Sequence, residues 1–78
     1  MDITVKPQTQ GRFYLLDIDA EEFSLTDVID GLARIAAIRS AYVPYNTHPT
    51  SVLIQLHKGA DIRKVRGSIL RLARRLSY

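Results

Sequence analysis

The last eighteen residues, Asp61 to Tyr78, constrain this chain more than any other stretch. Ile62, Val65, Ile69, Leu72 and Leu76 step by three and four, the spacing that lines one face of an α-helix. Arg63, Lys64, Arg66, Arg71, Arg74 and Arg75 fall on the rest of the circumference, and no acid follows Asp61. One side of this helix therefore requires a core, while the other presents six cations.

That core must come from a short chain. At 78 residues the sequence is expected to form one domain, residues 1–78, near the lower size limit for unaided folding. A domain this small leaves little room for a deep catalytic pocket. Its 46% hydrophobic content is that of a globular protein and not a disordered one. The absence of cysteine excludes disulfides, thiolate metal sites and cysteine nucleophiles. No apolar run approaches the roughly 18–20 residues that span a bilayer. The start, Met1-Asp2-Ile3-Thr4-Val5-Lys6, has neither the positive beginning nor the apolar stretch of a signal peptide, so a cytoplasmic location, or one facing the cytoplasm beside a membrane partner, is expected.

Charge is divided along the chain. Residues 1–39 carry four bases and seven acids, a net −3, whereas residues 40–78 carry seven bases and one acid, a net +6; together these give the formal +3. This asymmetry has two readings. Either the basic helix faces an anionic partner, or the acidic first half neutralises it within the fold or across a symmetric interface.

Taken in order, Ile3–Lys6 alternates as a short strand, which Pro7 permits only at a sheet edge. After the polar turn Gln8–Gly11, Arg12 to Ile18 reads as a stronger strand, with Tyr14, Leu16 and Ile18 on one face and Phe13, Leu15 and Asp17 on the other. Ser24 is placed to cap a helix, with Asp27 at the third helical position and Phe23 and Val28 as a hydrophobic staple. The apolar stripe from Leu25 predicts a helix to about Arg39, in which Gly31 costs stability unless it allows a close approach. Residues 41–45 and 51–57 read as a hairpin around the turn 46–50, with Val52, Ile54 and Leu56 buried. Asp61 caps the last helix. The order (β)βαββα predicts an α+β fold, a ferredoxin-like split βαβ sandwich with an antiparallel sheet and two helices on one face. The usual final strand has no counterpart here, and the N-terminal strand could take its edge.

Gly11-Arg12-Phe13-Tyr14-Leu15, the segment Ile38 to Val43, and Thr50-Ser51-Val52-Leu53-Ile54 together resemble the heavy-metal-associated family of small ferredoxin-like domains, in its cysteine-less branch. The resemblance covers roughly residues 3–76 and implies that fold, together with an accessory role in metal transport or homeostasis. Metal-trafficking members hold a soft metal on two cysteines between the first strand and first helix. Here that loop is Asp19-Ala20-Glu21-Glu22-Phe23-Ser24, which offers no soft ligand.

The acids Asp17, Asp19, Glu21 and Glu22 could gather a hard cation, or form a solvated loop that suits the following helix N-terminus. His48 and His57 are the only histidines and lack further ligands. No catalytic constellation, cofactor motif or small-molecule substrate is evident, and a non-enzymatic protein is expected. Tyr14, Tyr42, Tyr45 and Phe13 could stack on bases or pack internally. The face Arg63, Lys64, Arg66, Arg71, Arg74 and Arg75 is the candidate binding site for an anionic partner, against the alternative of a solvated face whose stems cover apolar neighbours. The expected partner is another protein or a second copy of this chain, with nucleic acid as the alternative.

Overall fold

The computed structural model describes residues 1–44 and 50–77. Tyr45, Asn46, Thr47, His48, Pro49 and Tyr78 lie outside them, and with them most of the expected turn and one of the two histidines. Six elements follow one another: β1 (Asp2–Pro7), β2 (Phe13–Asp19), α1 (Leu25–Ala33), β3 (Ile38–Tyr42), β4 (Ser51–Leu56) and α2 (Ile62–Leu76). The strands form one antiparallel sheet in the order β1-β2-β4-β3. This small α+β arrangement of four strands and two helices is compatible with a ferredoxin-like fold. The N-terminal segment is a strand, and it stands at the sheet edge, where Pro7 costs no internal ladder bond.

Two-residue alternation sorts the strand side chains onto two faces. On the core face, Leu16 lies opposite Val5 and Val52, Ile18 opposite Ile3, Ile54 opposite Tyr14 and Ala41, and Leu56 opposite Ile38. Val28 and Leu32 of α1 and Val65, Ile69, Leu72 and Ala73 of α2 close over these residues in a single buried cluster. Both helices therefore cover the same face. Each fully buried aliphatic side chain contributes roughly 1.5–3 kcal/mol of transfer free energy, so the apolar stripe of α2 is needed for folding before anything else.

Both expected caps form. The Ser24 hydroxyl accepts from the Asp27 N–H at 3.3 Å, and an Asp61 carboxylate oxygen accepts from the Arg63 N–H at 3.0 Å. Phe23 and Val28 both reach the core cluster, as the staple requires. Gly59 enters the turn before α2 with φ +85°, a region that a side chain would make costly.

The first helix is shorter than its apolar spacing predicts. It ends at Ala33 rather than near Arg39, and β3 begins at Ile38 rather than at Ala41. Arg34 N–H bonds Gly31 carbonyl, Ile35 bonds Leu32, and Ile38 bonds Ile35, all three residues back, so the chain leaves the helix through tight turns. A three-residue step between Ile35 and Ile38 fits such turns as well as a helix. Ile38 then meets Leu56 across the sheet, burial that a continued helix could not supply. His57 lies one residue beyond the end of β4, exposed.

Candidate functional site

Where α1 and α2 meet, Gly31 has no side chain to separate them. A Cβ built there would overlap Leu72 Cδ1 and stand only 3.0 Å from Cδ2. The groove above this contact is lined by Arg34, Ile35, Ser68, Arg71, Leu72 and Arg75. It continues past Asp27 and Asp30, which share its end with Arg34 and Arg75. This geometry divides the six predicted cations. Arg71 and Arg75, with Lys64 on the same side by helical spacing, face α1 and its acids. Arg63, Arg66 and Arg74 follow one another on the opposite flank.

Acids border the α1-facing flank, although no ion pair joins them to its cations among the described residues. Asp27 and Asp30 line the groove that Arg75 enters, and Arg71 Nη2 donates to the Ser68 hydroxyl at 3.1 Å. The other flank differs. Among the described residues, Arg66 and Arg74 make no side-chain hydrogen bond or ion pair, and Arg63 reaches only its own cap Asp61, at 3.7 Å between two exposed side chains. Such an exposed pair is worth at most about 1 kcal/mol. Between these arginines stands Leu70, 47% exposed. Sequence reasoning passed over Leu70. The signal was available, since it is the one leucine of α2 outside the three-and-four stripe.

The face of the sheet away from the helices carries the remaining candidates. Phe13, Leu15, Leu53 and Tyr42 lie on it by register, and an open hollow of about 260 Å³ is bounded by Phe13, Tyr42, Leu53 and Gln8–Gln10. Tyr14 points the other way and packs against the core. The aromatic surface and the α2 cations are thus on opposite sides of the molecule, separated by the sheet and the helix layer. They do not form one site.

The acidic stretch is also divided. Asp17 is clasped by the Lys6 ammonium and accepts from the Ser51 hydroxyl at 2.8 Å. These contacts, Lys6 first, hold its carboxyl below the usual aspartate range against a small opposing effect of burial. Asp19 stands directly opposite Asp2 on the same face. Glu21 and Glu22 instead border the end of α2, beside Leu76 and Ser77. Among the described residues, no three His, Asp or Glu side chains are grouped so as to hold a metal ion. No described helix is long and apolar enough to cross a membrane.

Fold and site together define a small α+β domain whose last helix carries two cationic flanks, one beside the acids of α1 and one around the exposed Leu70. Comparisons with protein families, with curated proteins and with solved structures find no match.

Proposed function

We propose that this domain is a non-enzymatic protein-binding module, and that it engages an acidic surface through Arg63, Arg66 and Arg74 around Leu70. The observation that carries this reading is the placement of an exposed leucine among arginines whose one acidic partner among the described residues is the cap Asp61. A face kept only for solubility gains nothing from Leu70, whereas interfaces combine arginine with a desolvated apolar centre. The acidic surface belongs to another protein or to a second copy offering Glu21 and Glu22. The ferredoxin-like arrangement, with β1 in the place of the usual final strand, leaves this flank beside a sheet edge. The metal-accessory reading rests on the family resemblance of the short strand segments alone.

Nucleic acid is the competing reading, favoured only by the number of cations. It predicts binding that uses both flanks and weakens steeply with salt. Light scattering over a concentration series, beside titration with a labelled oligonucleotide at low salt, separates the cases. A mass that rises with concentration supports the homomeric form, and a constant monomer assigns the surface to a different protein. An oligonucleotide shift that is abolished equally by charge reversal on either flank contradicts the reading.

A further inference from the structure

β1 is an edge strand. The Gln8 N–H donates to the Phe13 carbonyl at 3.1 Å, which fixes the phase of the β1–β2 ladder. Even-numbered residues of β1 direct their backbone groups to β2, so Ile3 and Val5 direct theirs outward. Nothing among the described residues pairs with those outward groups. At the other edge, the β3–β4 register slips between Ile38 and Ser40, an irregularity that blunts an edge. The β1–β2 register is unbroken from Asp2 to Pro7.

Above this open edge lies the Leu70 flank of α2. The Met1 amine donates to the Ser77 hydroxyl at 2.9 Å, so the end of α2 sits at the start of β1 and the helix runs back along the strand. A helix rises about 1.5 Å per residue and a strand about 3.3 Å. Arg74, Leu70 and Arg66 therefore stand along the length of β1, between Asp2 and Lys6. A four-residue step on the helix covers about 6 Å and a two-residue step on a strand about 6.6 Å. A strand added outside β1 would point every second side chain towards α2, and three successive such side chains would meet Arg74, Leu70 and Arg66.

Resting on the protein-binding reading above, we infer that the partner supplies an extended acidic segment that adds to β1 as a fifth strand. Its helix-facing side chains alternate acidic, apolar and acidic. Main-chain bonds to Ile3 and Val5 give the strand its place, and the helix selects its charge. A second copy is a poor occupant of this edge. Symmetric β1–β1 pairing would bring Arg66 and Arg74 of the two copies towards one another, and like charges so placed repel.

The test uses the full chain and a synthetic peptide with glutamate, leucine and glutamate at alternate positions and threonines between them. Binding is read by fluorescence anisotropy and by amide hydrogen exchange at Ile3 and Val5. The inference predicts binding with new protection at these two amides. It also predicts that N-methylation of one alternate set of peptide residues weakens binding about tenfold or more, while methylation of the other set does not. Val5→Pro removes one outward donor without touching the β2 ladder and is expected to weaken binding similarly. If both methylated peptides bind as well as the parent, charge capture stands but strand addition is overturned. If no peptide binds, the acidic-partner reading falls and the inference with it. Binding of a labelled oligonucleotide that displaces the peptide and spans both flanks of α2 overturns the inference in favour of nucleic acid.

Discussion

Gly31 and Leu72 are in contact closely enough that a single added methyl would overlap the leucine, and this contact sets the spacing of the two helices. Glycine within a helix costs about 1 kcal/mol relative to alanine, so its presence here reflects packing. Gly31→Ala gains that propensity but overpacks a buried leucine, which costs about 1–3 kcal/mol. The expected net result is a loss of about 1 kcal/mol, measured by urea denaturation. A stabilised variant would show that the helices are free to separate.

Neighbouring positions on α2 should respond very differently to truncation. Ile69 is fully buried, and Ile69→Ala is expected to cost about 2–5 kcal/mol. A domain of this size has only about 3–5 kcal/mol in total, so the variant should be largely unfolded by circular dichroism. Leu70→Ala should stay within about 0.5 kcal/mol of the wild type and retain the native spectrum.

Asp2 and Asp19 face one another across β1 and β2, where like charges oppose pairing. Asp2→Thr is expected to stabilise the domain by about 0.2–1 kcal/mol at neutral pH. The gain should shrink in high salt, which screens the repulsion.

Asp17 gives a pH dependence of defined sign. Its carboxyl is held below the ordinary aspartate value by Lys6 and Ser51. The unfolded chain therefore takes up the proton first as pH falls. The stabilisation is fully present above the usual aspartate range and is lost as pH drops through the folded value. Because both Lys6 and Asp17 are substantially exposed, the contribution is about 0.5 kcal/mol. Asp17→Asn should be less stable than the wild type at neutral pH and match it in strong acid, as read by chemical denaturation at each pH.

How far these features could be read from the sequence depended on whether local pattern and tertiary need agreed. Alternation in Phe13–Asp19 and the stripe of α2 each had one consistent solution, and Ser24 and Asp61 cap as their positions demanded. The end of α1 was misread because Ile35 and Ile38 satisfy helical spacing while belonging to a turn and a strand. The six cations were legible as a set, but their division was not. Which flank meets Asp27 and Asp30 depends on the side of α2 on which α1 packs, through the Gly31–Leu72 contact, and no local pattern in residues 62–76 encodes that. The free edge of β1 likewise follows from sheet order, which no local pattern in residues 2–7 encodes.

Charge reversal on each flank of α2 tests the account most directly. Arg66→Glu with Arg74→Glu is compared with Arg71→Glu with Arg75→Glu, each variant losing one cation from the last helical turn, so helix-dipole effects cancel. Affinity for the alternating acidic peptide is measured beside thermal stability. The account predicts that the Arg66/Arg74 variant loses about tenfold or more in affinity at nearly unchanged stability. The Arg71/Arg75 variant should keep its affinity and lose stability beside Asp27 and Asp30. Equal losses of affinity from the two flanks, or a loss confined to Arg71/Arg75, would contradict it.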